Sequence, residues 1–163
     1  MNARLTAEER TAWIRLALVS STLPAALDAQ LTRDSGISHI DYLVLTLLAQ
    51  AEGRTLPMSR LAALSGSSPS RLSHVVTGLE KDGYVTRARA ETDARVILAT
   101  LTSTGRDVAR VAAPGHLRNI RELVFDRLSG EQVDALSDIM ATILGGLDPD
   151  GVLARAATEP STN

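Results

Sequence analysis

The 163-residue chain carries a formal net charge of −2 and is 44% hydrophobic but only 2% aromatic, so its core must be built from Leu, Val, Ile and Ala, a composition that favours helices over a β-sandwich. The absence of cysteine excludes disulfides, thiol redox sensing, cysteine nucleophiles and cysteine-ligated zinc. No apolar run approaches the roughly 18 residues of a membrane span, and the polar, charged start from Met1 to Arg10 is unlike a signal peptide; the expectation is a cytoplasmic protein with no membrane partner.

Chain length points to one domain, or two small lobes sharing long helices. The first predicted helix opens at Thr6, which has capping-box spacing with Glu9. It carries apolar residues at Trp13, Leu16, Leu23, Leu27 and Leu31, should bend at Pro24, and ends at Gly36. A second opens at Ser38 with Asp41 three residues on, carries Leu43, Leu47 and Leu48, and closes at Gly53. A short helix over Arg60–Ser65, capped by Ser59, is stopped by Gly66. The next is the best marked: Ser68 as N-cap, Pro69 at the first helical position, and Gly83 after the last turn, an order matching the preferences of helix ends. Its apolar residues Leu72, Val75, Val76 and Leu79 share one face at helical spacing. Two strand-like runs follow, Tyr84–Arg89 and Val96–Leu101, joined by a charged turn. Thr102 or Ser103 then caps a helix toward Leu128 with an expected interruption at Pro114-Gly115. Ser129 and Gln132 form another capping box. The last helix sets Val133, Leu136, Met140, Ile143 and Leu147 in a coiled-coil-like seam and is expected to end at Gly145-Gly146.

A short helix, a tight turn, a second helix with a polar outer face and then a hairpin make a winged helix-turn-helix. A recognition helix buries one face and offers the other to the major groove. Here Ser67, Ser68, Ser70, Arg71, Ser73 and His74 lie at or near its N-terminal end and outer face. Arginine can present two donors to guanine, and serine can bond bases or phosphates. Arg87 and Arg89 belong to the wing, and Arg95 at its tip is suited to a minor groove, where potential is most negative. Asp93 is placed to brace Arg95 and shape the turn. The charge distribution agrees: from Arg54 to Arg95 there are seven basic residues against four acidic ones, a local +3 that leaves −5 for the rest of the chain. The bland alternative is a solvated helix face beside a structural hairpin.

These segments carry a resemblance. Leu61-Ala62-Ala63-Leu64-Ser65, Ser68-Pro69-Ser70-Arg71-Leu72, Leu79-Glu80-Lys81-Asp82-Gly83-Tyr84-Val85, Asp93-Ala94-Arg95, and Leu101-Thr102 with Gly105 together resemble the MarR family (multiple-antibiotic-resistance regulators) over about 13–147. The resemblance implies a homodimer with intertwined first and last helices and a ligand pocket between the dimer and DNA-binding lobes. In the wing, many members carry a second adjacent Arg where this chain has Ala94 and Val96. The family's urate-responsive branch uses a Trp and an Asp at places comparable to Trp13 and Asp41 to hold its ligand. The alternative for this pair is a dimer-packing Trp and an Asp serving its own helix N-terminus. His39 and His116 are further candidates for pocket lining, or else capping and surface residues.

None of the three histidines has the i, i+4 spacing of a helical metal pair, no nucleophile elbow surrounds a serine, and no glycine-rich loop cradles phosphate; no enzyme, metal or cofactor is expected. The scarcity of aromatics argues against single-strand binding by stacking. The overall expectation is a mainly α fold, a winged helix-turn-helix with a two-stranded β wing, dimerised through its N- and C-terminal helices. Residues 1–37 and 102–147 would be dimerisation helices, 38–101 the DNA-binding lobe and 148–163 a disordered tail. The expected function is a ligand-responsive transcriptional regulator, a repressor, that binds a palindromic duplex operator as a homodimer and answers to an aromatic or anionic small-molecule effector. A winged-helix module that binds protein rather than DNA is the alternative.

Overall fold

The computed structural model describes residues 4–148, with Gly151 and Leu153 beyond them; nearly all of the tail expected to be disordered lies outside the described residues. The helix α1 spans Ala7–Ser35. Thr6 and Glu9 close the expected capping box at its start, and Gly36, with φ of 68°, terminates it in the left-handed conformation that glycine adopts without penalty. α1 is unbroken across Pro24. α2 (His39–Gln50) begins with a second box, Ser38 against Asp41. It ends earlier than expected, because Gly53 belongs to a separate turn with φ of 58°. Its buried stripe is Val44, Leu45 and Leu48, with Leu43 and Leu47 only partly covered.

β1 (Thr55–Pro57) follows, then α3 (Met58–Leu64), α4 (Pro69–Lys81), β2 (Val85–Arg89), β3 (Ile97–Leu101), α5 (Ser103–Leu123) and α6 (Gly130–Leu147). The β2–β3 hairpin is the expected two-stranded wing, and β1, which was not expected, adds a third antiparallel strand to give the order β1-β3-β2. β1 pairs Thr55 with Thr100 and Pro57 with Leu98, and the Thr55 and Thr100 hydroxyls bond across the strands at 2.9 Å. A three-residue edge strand ending in proline carries too little alternation to announce itself, and proline is tolerated there because an edge leaves one side of the ladder unpaired. The same proline moves the start of α3: Pro57, not Ser59, is the N-cap position, and no side chain caps it.

Two further expectations are corrected. α5 passes through Pro114-Gly115 without interruption and stops at Leu123, short of Leu128, where a 3-10 turn over Phe125–Arg127 takes over. Pro114 lies on an exposed face, where the carbonyl it leaves unbonded can reach water. A side chain at Gly115 would press on Gln30 of α1, so glycine there permits close approach of the two helices. α6 likewise continues through Gly145-Gly146 to Leu147; each glycine costs only about 1 kcal/mol in a helix.

The core lies where the end of α1, α2, α3, α4, the sheet and the first half of α5 converge. Leu31, Leu45, Leu48, Leu61, Leu72, Val76 and Val85 are fully enclosed. α6 buries none of its residues, and in α1 burial begins only at Leu27. Among the described residues no helix is long and apolar enough to cross a membrane.

Candidate nucleic-acid interface

α3 and α4 are joined by a turn in which Gly66 takes φ of 60° and the Ser67 amide donates to the Ala62 carbonyl at 3.0 Å. Ser68 caps α4, its hydroxyl accepting from the Arg71 amide at 3.3 Å, and Pro69 occupies the first turn, where a missing N–H costs nothing. Leu72, Val76 and Leu79 bury the inner face, each contributing about 1.5–3 kcal/mol of transfer free energy. That burial fixes the rotation of the helix. Ser70, Arg71, Ser73, His74 and Thr77 are thereby exposed on its other side. Ser67 is half-buried in the turn, and Ser68 is exposed but occupied by capping.

The wing is the β2–β3 hairpin, in register from Val85 opposite Leu101 to Arg89 opposite Ile97. At its tip the Asp93 carboxylate accepts from the Arg95 amide at 2.9 Å and from its Nε at 3.1 Å. These bonds hold the Asp93 carboxyl below the usual carboxylate range. The Arg95 side chain is nonetheless 91% exposed, so the brace orients a cation that stays in solvent. Arg89 is exposed. Arg87 is placed differently: its guanidinium is turned back onto Glu80 of α4, with Nε donating at 3.0 Å and Nη2 to the same oxygen. Sequence reasoning missed Glu80. Its signal was an acid and a base on either side of the Gly83 turn.

The four candidate ligand residues fall into separate places. His39 and His116 come together where α2 meets α5, their ring centroids 5.7 Å apart. Tyr42, which the sequence alone did not single out, sets its ring centroid 4.5 Å from that of His116 at a tilt of 57°; its signal was a position one turn after His39. The His39 amide donates to Asp28 of α1 at 2.8 Å. His116 is only 6% exposed and Gln30 is equally buried. Among the described residues His116 Nδ1, Gln30 Oε1 and Asn119 Nδ2 are buried without a hydrogen-bond partner. Desolvation lowers the pKa of both histidines; Asp28 partly offsets this for His39, and the neighbouring His39 adds to it for His116. Asp41 is engaged in its own helix cap, its carboxylate accepting from the Ser38 amide at 3.0 Å and from the Ser38 hydroxyl. Trp13 is on the exposed half of α1, roughly four turns or about 22 Å along the helix from Asp28. Among the described residues no three His, Asp or Glu side chains converge as a metal site would require.

A MarR family model matches residues 35–96, which cover the helix-turn-helix and most of the wing. A MarR family transcriptional regulator from Streptomyces coelicolor, solved in complex with DNA, superposes with a TM-score of 0.84 at 42% identity, over 88% of this chain and 94% of that one. CouR from Rhodococcus jostii, solved bound to p-coumaroyl-CoA, matches with a TM-score of 0.67 at 27% identity, over 78% of this chain and 87% of its own. The HTH-type transcriptional repressor YetL of Bacillus subtilis (strain 168) is 30% identical over 112 residues, which cover 69% of this chain but only 64% of that repressor. The extent and identity of the first match, together with the family model over the helix-turn-helix, place this chain in the MarR family.

Proposed function

We propose that the chain is a transcriptional repressor in the cytoplasm that binds a palindromic duplex operator as a homodimer and releases it on binding a small molecule. The observation that carries this reading is the pairing of an outward polar face on α4, with Arg71 one turn from its capped start, and a wing that holds Arg95 in solvent. Phosphate contacts from Ser67, Ser68, Ser73, His74 and Arg89 would set the register. Base contacts from Ser70 and Arg71 would set the sequence. The DNA complex of the Streptomyces coelicolor regulator supports the partner, and the name of the Bacillus subtilis repressor supports the sign of regulation.

Dimerisation is inferred from apolar surface. Trp13 at 60%, Leu18 at 58% and Ile139 at 53% exposure, with Ile14, Val19, Met140, Ile143 and Leu147, make an uncovered area on α1 and α6 that a single protomer would have to leave in water. A two-fold axis through those helices, with 38–101 as the DNA-binding lobe, would set two copies of α4 about 34 Å apart, one turn of DNA. The effector site is assigned to the α1–α2–α5 junction at His39 and His116, with Tyr42 and Gln30, where buried polar atoms lack partners. The tilted rings of Tyr42 and His116 suit an aromatic effector. Trp13 would join it only from the dimer face, and Asp41 through the helix start it caps. Quantitative binding to duplexes selected from a random pool, at several fixed salt concentrations, tests the reading. Salt-dependent, sequence-selective binding is expected. Binding to a protein partner with no affinity for duplex DNA would transfer the assignment to an interaction module.

A further inference from the structure

Arg87 lies in the basic segment, and on charge alone it belongs with the phosphate-binding residues. Its geometry says otherwise. Glu80 is in the last turn of α4 and Arg87 is the third residue of β2, with the left-handed Gly83 between them. Three donors of Arg87 converge on the one carboxylate: the amide at 3.2 Å, Nε at 3.0 Å, and Nη2. The Arg87 side chain is 27% exposed and that of Glu80 38%, so the pair is partly shielded from the solvent that weakens surface ion pairs. The bond from Arg87 keeps the Glu80 carboxyl below the usual carboxylate range. On the other side of the same joint the Thr102 hydroxyl reaches the carbonyls of Gly83 at 2.8 Å and Tyr84 at 3.1 Å.

We propose that Glu80 and Arg87 are positioning residues for DNA reading: their ion pair clamps the recognition helix α4 to the wing, so that the outer face of α4 and Arg95 meet one duplex at a fixed separation. The inference rests on the DNA-binding reading above and adds to it. Sequence readout from α4 then depends on a residue pair that touches no base, and Arg87 leaves the set of phosphate-binding residues.

The clamp and the phosphate contact demand opposite signs from one substitution. If Arg87 served phosphate, Glu80→Gln would free it and remove a negative charge, so the variant would bind DNA more tightly. If the pair is a clamp, Glu80→Gln loosens the wing and binding weakens by up to about fivefold, the upper end for a partly exposed ion pair. Arg87→Lys keeps the charge but loses the two-pronged geometry, so it weakens binding as a clamp and leaves a phosphate contact nearly intact. Both variants are to be compared with wild type on a duplex selected by the wild-type protein, and on the same duplex trimmed to the base pairs under α4. The weakening should fall on the long duplex and disappear on the trimmed one. The exchanged pair, Glu80→Arg with Arg87→Glu, should recover most of it. Tighter or unchanged binding by Glu80→Gln with Arg87→Lys at wild-type affinity, or equal weakening on both duplexes, overturns the clamp. Should Glu80→Gln fail to fold, Arg87→Lys and the exchanged pair decide alone. Wild-type binding to the long duplex is the control that separates failure of the clamp from failure of DNA binding itself.

Discussion

Arg71 and Arg95 carry the same charge and should do different work. Arg71 is fixed by the buried Leu72 beside it and by the Ser68 cap that receives its amide. Replacing it with Ala should cost about 1–3 kcal/mol on the selected duplex and relax preference at one base position. Arg95 is attached to the turn through Asp93 and otherwise surrounded by water. Arg95→Ala should weaken selected and scrambled duplexes by similar factors and reduce the salt slope by about one unit for each phosphate that the guanidinium neutralises. A collapse of sequence preference in Arg95→Ala, with none in Arg71→Ala, would reverse these roles. A third residue acts through space alone. A side chain on Gly105 would collide with the Tyr84 carbonyl and with Leu101, at the point where α5 leaves the sheet. Gly105→Ala should therefore lower stability by about 1–3 kcal/mol, the usual range of overpacking, read as a fall in the denaturant midpoint. A melt indistinguishable from wild type would show that the backbone there gives way easily.

At the scale of elements, the α1–α2–α5 junction makes stability depend on pH. His39 and His116 have folded-state pKa values below the 6.5 of the free side chain, chiefly because burial penalises the charged form. The unfolded chain consequently binds protons first, and stability falls as pH drops through about 6.5, levelling once the folded protein is itself protonated. Facing groups modify the slope: Asp28 favours the charged form of His39, while Tyr42 stays neutral throughout. The carboxyls of Asp34 and Asp93 are held low by their partners, so their contribution disappears only below about pH 4. Urea unfolding at pH 7.5 and 5.5 should show a lower midpoint at the acid value, and His116→Gln should flatten the difference. An identical drop in His116→Gln would assign the effect elsewhere.

Elements were legible in the sequence wherever a side chain closes its own backbone. Thr6, Ser38 and Ser129 cap the helices that their spacing with Glu9, Asp41 and Gln132 predicts, Ser68 caps the helix announced by Pro69, and of the two candidates Thr102 and Ser103 it is Thr102 that caps. Where the outcome depends on distant partners the sequence was silent or misleading. β1 pairs along β3, and in α5 Pro114 faces solvent while Gly115 lies against Gln30 of α1. His39 meets His116 only through the crossing of α2 and α5, a meeting that no local spacing encodes. The outer face of α4 was readable because its inner face follows helical periodicity. The fate of Arg87 was not, because an ion pair across a turn leaves no periodic trace.

For the whole molecule, α1 and α6 leave large apolar side chains uncovered, and the partner proposed to cover them is a second copy of the chain. Ile143→Glu, at a half-exposed position on α6, should convert the dimer to a monomer in sedimentation and lower duplex affinity, since each half-site alone neutralises half the phosphates. A monomeric wild-type protein at micromolar concentration would remove the basis for a palindromic operator. The claim on which the account turns is that the dimer reads duplex DNA through α4 and the wing. The direct test is the affinity of wild-type protein for its selected duplex as a function of salt. The expected result is one dimer per duplex and log affinity falling linearly with log salt, with a slope of several units from the combined phosphate contacts. Scrambled duplex should bind more weakly but fall in parallel. A flat salt dependence, or equal affinity for selected and scrambled duplexes at every salt concentration, would contradict it.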